Sequence, residues 1–333
     1  MIARACRIAA AALLVLISLD ASAQSTHGPR TTWEAYDADR PTPRAPSIDQ
    51  HLSDPILKGA IDLHAHFGPD AYQRQWDAFE IAKLMHERGM RGAVFKNHFT
   101  ESAGLAFLIR RYAQAGDFEA FGGLALNTEV GGLNPQAIRY FAAVEGHFAR
   151  IVWMPTHDSE HEVKALHQAI PSVSVSRAGK LLPATLQVLD VVKEKGLTLA
   201  TGHVSADEML MIVAEAHRRG IEHIIITHPD LGPQFTDASL EQLQQAVRLG
   251  GDIEIVAGEL FGTRQAEFLA RIRSIGPAHC FISSDSGLVA TPNHADAFVM
   301  AIRILRKASF SESELDLMFR RNPARLIGLP VAP

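Results

Sequence analysis

The chain has 333 residues, 16 histidines, two cysteines and a net charge of -5, with 47% hydrophobic and 21% charged residues. No basic stripe or arginine cluster supports a nucleic-acid partner, and no apolar segment after the first twenty residues is long enough to suggest a membrane span. The length suits one large α/β barrel that buries a sizeable core.

Residues 1–23 read as a secretory signal. Arg4 and Arg7 precede an apolar run from Ile8 to Ser18, and Ala21-Ser22-Ala23 is a small-x-small cleavage site before Gln24. An uncleaved anchor or a buried first helix is the competing reading. The mature protein is therefore expected to be exported, periplasmic or secreted, with no membrane attachment after cleavage. It keeps one cysteine, Cys280, and cannot form an internal disulfide. Residues 24–58 are rich in Ser, Thr, Pro, Asp and Arg and read as an extended leader, loose or wrapped on the body.

The third segment, 59–330, alternates short apolar runs with longer amphipathic ones. Strands are expected at 60–66, 92–96, 118–126, 150–154, 197–201, 221–227, 252–257 and 280–283. Helices are expected at 76–88, 101–115, 135–146, 159–170, 183–195, 206–219, 238–249 and 262–275, with extra ones at 295–308 and 312–320. Residues 171–179 are serine-rich and read as a surface loop. Strand–helix alternation predicts a parallel sheet with helices outside it. Eight units in roughly 270 residues predict an α/β fold of the closed (β/α)8 TIM-barrel type, with an N-terminal extension and extra C-terminal helices. No Gly-x-Gly-x-x-Gly fingerprint, phosphate loop or nucleophile elbow interrupts this pattern.

Catalytic residues of such a barrel sit at the C-terminal ends of its strands. His64 and His66, two apart on the first strand, leave it side by side before Gly68-Pro69 ends it. Lys96, Asn97 and His98 follow strand two, and Thr156, His157 and Asp158 follow strand four. His203 follows strand five, His228 strand six, and Asp285 strand eight. Any one of these histidines could be a hydrogen-bonded strand-end residue. Four histidines and an aspartate from four strands instead suit a divalent cation. Asn97, His98, Asn127 and His157 are candidates for substrate contact, as is Asn134. Arg74 and Arg264 could hold a substrate carboxylate or face solvent. Asp62 is expected on the face of His64 and His66, one step deeper, as a carboxylate that hydrogen-bonds behind them or within a barrel layer. Trp153 and Met154 read as pocket wall, Tyr72 and Phe99 as an apolar entrance, and Cys280 as core.

The ordered set of His-x-His after strand one, single histidines after strands five and six, and aspartate after strand eight resembles the amidohydrolase superfamily of metal-dependent hydrolases. The resemblance covers about residues 59–325. It implies that His64, His66, His203, His228 and Asp285 ligate one or two divalent ions, zinc foremost, with manganese, nickel or iron as alternatives. It further implies metal-activated water attacking an amide, ester or lactone of a small molecule. Asp285 would be the general base. In a one-ion site His203 or His228 would complete the shell or bond to substrate, which makes His228 a second catalytic candidate.

One departure stands out. Members of the family with two ions commonly carry a lysine or glutamate after strand four, where this chain reads Ile151-Val152-Trp153-Met154-Pro155-Thr156. Lys96 could supply a bridging carbamate from strand two, which would make it both a metal ligand and a catalytic residue. As an ammonium it could bind a substrate anion or pair with Asp285 or Glu129. The runner-up function is a metal-dependent lyase such as a decarboxylase. A non-catalytic, exported metal-binding protein is the third. The expected partner is a small-molecule substrate, and assembly into a homo-oligomer is left open.

Overall fold

A computed structural model describes residues 52–330 apart from residues 230 and 290. The expected signal segment and most of the leader lie outside the described residues. The leader's last residues belong to the packed body. Pro55–Leu57 form a 3-10 turn capped by Asp54, Ile56 and Leu57 are buried, and Arg306 pairs with Asp54 at 2.6 Å.

Eight strands follow in chain order: β1 Ile61–Ala65, β2 Gly92–Phe95, β3 Glu119–Ala125, β4 Ala149–Trp153, β5 Thr198–Ala200, β6 Ile224–Ile226, β7 Gly251–Val256 and β8 Cys280–Ser283. Each is parallel to its sequence neighbours, in the order β1 to β8. The helices between them are α1 Ala78–Glu87, α2 Ala103–Tyr112, α3 Pro135–Ala143, α4 Glu160–Ala165, α5 Pro183–Lys195, α6 Ala206–Arg218, α7 Leu240–Arg248 and α8 Gln265–Ile275. α9, His294–Lys307, follows β8. The architecture is the expected (β/α)8 barrel.

The strands are apolar on both faces because each packs twice. One buried cluster, with Val94, Phe121, Ile151, Ile225 and Phe281, fills the barrel. A larger one, with Phe95, Val152, Leu199, Ile226 and Ile255, lies between strands and helices. Alternation with period two divides the residues between these layers. Ala324, Leu326 and Ile327 join the interior cluster and plug the end where the strands begin. At the other end the barrel is zipped by two bonds, Asp285 N–H to the His64 carbonyl and His66 N–H to the Ser286 carbonyl, both 3.0 Å.

Capping boxes at Asp77/Glu80, Ser205/Glu208 and Ser239/Gln242 start α1, α6 and α7 just after their strand-to-helix loops. These caps fix the loops that carry the polar residues. Elsewhere the structure departs from the sequence-based expectations. The loop at 171–179 holds part of a small hairpin, Ser176–Arg177 with Lys180–Leu181. An unexpected 3-10 turn, Ala257–Phe261, follows β7, and the helix expected at 262–275 is present as α8. The last helix begins as Glu312–Asp316 and widens to a π turn at Leu317–Arg321 before Asn322–Leu326. Pro323, which lacks an N–H and crowds the carbonyl four residues back, lies just beyond this widening.

Strand β1 breaks the simple alternation. Its register with β2 shifts between Asp62 and Ala65. Ile61 and Leu63 therefore join the barrel interior, while His64, of opposite parity, also faces the barrel mouth. Asp62, of the parity opposite to Ile61 and Leu63, does not share the histidines' face, but it is the buried, hydrogen-bonded carboxylate expected there. It accepts bonds from Ser284 N–H at 3.0 Å and Ser284 Oγ at 2.5 Å, which tie β1 to the end of β8.

Candidate metal centre

The six residues expected to form the centre converge at the C-terminal mouth of the barrel. His64 is fully buried beneath the others. Its Nε2 lies 3.1 Å from Asp285 Oδ1, and His66 Nε2 lies 3.1 Å from the same oxygen. One ligand atom from each of His64, His66 and Asp285 falls within 4.8 Å of the other two. His228 stacks on His64 at 5.6 Å between ring centres, and His203 lies 4.9 Å from His228. Lys96 Nζ sits 2.9 Å from His64 Nε2 and 5.2 Å from the centre of the Trp153 ring.

Backbone features place these side chains. Asp285 takes a left-handed conformation, φ 48°, a region non-glycine residues seldom enter. Gly287 follows at φ 132°, and a Cβ there would collide with the His66 backbone. Gly202 (φ 67°) lets the chain turn tightly against the carbonyls of Met154 and Pro155, and His203 N–H then bonds to the Pro155 carbonyl at 2.9 Å.

Buried carboxylates orient the imidazoles from behind. Glu254, in the middle of β7, lies 2.8 Å from His64 Nδ1 and accepts Ser283 Oγ at 2.7 Å. Glu162 of α4 lies 2.5 Å from His203 Nδ1. Glu254, held ionised, accepts from His64 Nδ1 and leaves that ring's Nε2 free to point at a metal, and Glu162 does the same for His203 once it has given up its proton. His66 has a different partner, Arg74 Nη2 at 3.3 Å from Nδ1, and Arg74 is itself held by Asp70 at 2.6 Å.

The electrostatics suit a cation. Burial pushes the Asp285 carboxyl up, but the His64 and His66 imidazoles hold it well below the usual carboxylate range. Burial, then the Lys96 charge, keeps His203 well below the ordinary histidine value. Burial, with His203 beside it, brings His228 down to about 3. These rings are neutral at pH 7, the form that ligates metals. Burial lowers Lys96 to about 8 and raises Glu162 to about 8.

A cavity of about 370 Å³ opens above the centre. Its floor includes His66, Lys96, His98, His203, His228 and Asp285, and its walls are partly apolar, with Leu231, Phe235, Phe261 and Leu288. The donor set fits a divalent ion. Among the described residues, His203 Nε2 and His228 Nδ1 are buried without a hydrogen-bond partner, a costly state unless something else binds them.

The four residues expected to touch substrate are placed differently. His98 borders the cavity and stacks on His66 at 4.9 Å. Asn97 instead accepts the N–H groups of Phe99 and Thr100, shaping the turn after β2. Asn127 binds the His98 carbonyl, Thr156 and His157, holding three loops together. His157 sits between Asn127 and Glu129, at 3.1 and 3.5 Å. Neither asparagine nor His157 is among the residues lining the cavity. Asn134 caps α3. Arg74 and Arg264 border the cavity, the latter paired with Glu267 at 2.7 Å. Among the described residues no salt bridge joins Lys96 to Asp285 or Glu129 at bonding distance; its nearest partner is His64.

Three buried acids at or behind the centre escaped the sequence reading: Glu254, Glu162 and Glu259, the last lining the cavity. For Glu254 a signal existed, since a carboxylate between Ile253 and Ile255 in an apolar strand must be paired if it is buried. Glu162 carried none, being one of several charged residues in a short helix.

The barrel is the fold of solved amidohydrolases. It matches an amidohydrolase from Pseudomonas aeruginosa at TM-score 0.55 and 13% identity, covering 82% of this chain and 97% of that one. It matches the organophosphorus hydrolase from Deinococcus radiodurans at TM-score 0.55 and 17% identity, covering 87% and 100%. An amidohydrolase from Burkholderia multivorans, solved with bound zinc, matches at TM-score 0.52 and 15% identity, covering 81% and 99%. At these identities the likeness is one of fold. No curated protein matches the sequence. A family model described as a family of unknown function, DUF6282, matches residues 59–254, more than half of the chain, and the chain belongs to that family.

Proposed function

We propose that the protein is a metal-dependent hydrolase of the amidohydrolase type, acting on an amide, ester or lactone bond of a small molecule. The observation that carries this reading is the convergence of His64, His66 and Asp285 within 4.8 Å under an open cavity, beside two buried imidazole nitrogens that have no hydrogen-bond partner among the described residues. Zinc is the ion the nitrogen-rich donor set favours. A divalent ion in this site would polarise the scissile carbonyl and make water nucleophilic at neutral pH.

The chain's own groups then have separate tasks. Asp285 stays ionised, faces the cavity and can take a proton from the attacking water and return it to the leaving group. His64 and His66 fix its position through the shared oxygen. His228 and His203 complete the ligand set or hold the substrate oxygen. Lys96, buried and shifted toward neutrality, is suited to form a carbamate. Apolar walls exclude water and admit a substrate of modest size. Residues 1–23, with their basic start, apolar run and cleavage site, support export to the periplasm or beyond.

The test is metal content and turnover of protein purified without chelators. At least about one zinc per chain, lost in His66→Ala, together with hydrolysis of members of an amide, lactone and ester panel, is the expected result. Release of carbon dioxide from carboxylated aromatics without hydrolysis would replace the reading with a lyase. Metal uptake with neither reaction would leave a binding protein.

A further inference from the structure

A second pocket, of about 380 Å³, lies at the opposite end of the barrel, where the strands begin. Arg150 at the start of β4, Thr198 at the start of β5 and His223 just before β6 line it, with His147 and Lys195 at its rim. Among the described residues, no carboxylate lines it.

Nearby acids are already engaged by other cations. Glu194 is held by Arg139 at 2.6 Å and Lys195 at 3.1 Å, and Asp252 by Arg325 at 2.7 Å. Glu119 is held by Arg91 at 2.5 Å. Among the described residues Arg150 donates to two neutral acceptors, the carbonyls of His147 and Ala149 at 2.9 and 2.8 Å, and to no carboxylate. Its guanidinium lies 4.5 Å from the centre of the Phe121 ring, and Arg110 lies 4.7 Å from the same ring. Two half-buried guanidiniums thus share one aromatic ring, and the acid that acts on both, Glu119, is already bonded to Arg91. Burial lowers the pKa of both. His223 Nδ1 is buried and, among the described residues, without a hydrogen-bond partner. One effect opposes an anion: α5 ends beside the pocket at Gly196, presenting the negative end of its dipole. Lys193 and Lys195 in its last turn, paired with Glu222 at 3.6 Å and Glu194 at 3.1 Å, offset that end in part.

We propose that this pocket binds a phosphate-type oxyanion, free or as the head of a phosphate monoester, at a site separate from the metal centre. Tetrahedral oxygens can accept from the Arg150 fork and from a His223 ring N–H together. The pocket is larger than the ion, so it leaves space for an ester substituent.

The test is calorimetric titration of inorganic phosphate into the full-length protein, with chloride adjusted to constant ionic strength. Saturable binding is expected. It should weaken at least tenfold in Arg150→Gln and severalfold in His223→Ala, and be unchanged in His66→Ala at the far mouth. If Arg150→Gln fails to fold because Phe121 loses its cover, the part-exposed His223→Ala and Lys195→Gln provide the comparison. Phenyl phosphate that displaces phosphate would identify a monoester head as ligand, and phosphate alone would identify the free ion. Two results overturn the site: no saturation above the chloride control, or binding lost in His66→Ala and kept in the basal variants.

Discussion

Glu254 touches both halves of the histidine cluster. One carboxylate oxygen lies 2.8 Å from His64 Nδ1, and the other accepts the backbone N–H of His228 at 3.3 Å. His64 and Ser283 hold its carboxyl down to about 2 although burial alone would raise it. It therefore fixes the tautomer of His64 and the seat of His228 at once. Replacing Glu254 by Gln removes the charge but preserves the shape. Zinc affinity should fall about 10- to 100-fold, measured by competition with a chromophoric chelator. Unchanged affinity would reduce Glu254 to a packing residue.

Asp285 should matter to turnover more than to folding. Its side chain faces the cavity, and its backbone bond to the His64 carbonyl does not need the carboxylate. In Asp285→Asn the proton acceptor is lost, and kcat on a responsive substrate should fall by roughly 10²- to 10⁴-fold. The melting temperature of the metal-free protein should stay close to wild type. A variant that keeps both its metal and its rate would remove Asp285 from the reaction.

Lys96 offers a sharper test of nuclearity. Its amine is buried against Trp153 and His64, and burial brings its pKa down to about 8, so a useful fraction is neutral near pH 7.5 and able to capture carbon dioxide. With bicarbonate present, Lys96→Met should hold about one ion fewer per chain than wild type. Equal metal content in both proteins would move Lys96 to the substrate side of the site.

Much of this was legible in the sequence because the determinants are local. Each barrel strand is a short apolar run bounded by turn residues, and helix α5 runs from Pro183 to Lys195 as its proline start and glycine end indicate. His64, His66, His203, His228 and Asp285 stand at strand ends, so the barrel itself brings them together. What escaped depends on contacts distant in sequence. The register shift in β1 reversed the expected facing of Asp62. Asn127 and His157 stand at strand ends like the site residues, yet they are spent on joining loops. Glu162 meets His203 across 41 residues of chain, a contact that no local pattern announces.

The Glu162–His203 pair should leave a mark on stability. Burial raises the Glu162 carboxyl to about 8, against an unfolded value near 4.5. Between these values the native state keeps a proton that the unfolded chain has released, so this group makes the fold less stable as pH rises from about 4.5 to 8. The full effect is of the order of a few kcal/mol. In chelator-treated protein, urea unfolding at pH 5 and pH 8 should show a smaller loss for Glu162→Gln than for wild type. Parallel pH profiles would show that the pair carries no such proton.

Gly202 tests how the backbone sets the centre. Its φ of 67° is open to glycine, and a Cβ would meet the carbonyl oxygens of Met154 and Pro155. Gly202→Ala therefore combines a strained conformation with a clash against backbone that cannot swing aside. The chain must move away from β4, and His203 N–H then loses its bond to the Pro155 carbonyl. A loss of roughly 1–3 kcal/mol is expected from strain of this kind, read as a lower urea midpoint. The displaced His203 should also weaken metal binding beyond what the stability loss explains, so zinc affinity is measured under conditions where both proteins are fully folded. A variant that loses stability yet binds zinc like wild type would show that His203 does not contribute to the ion's affinity.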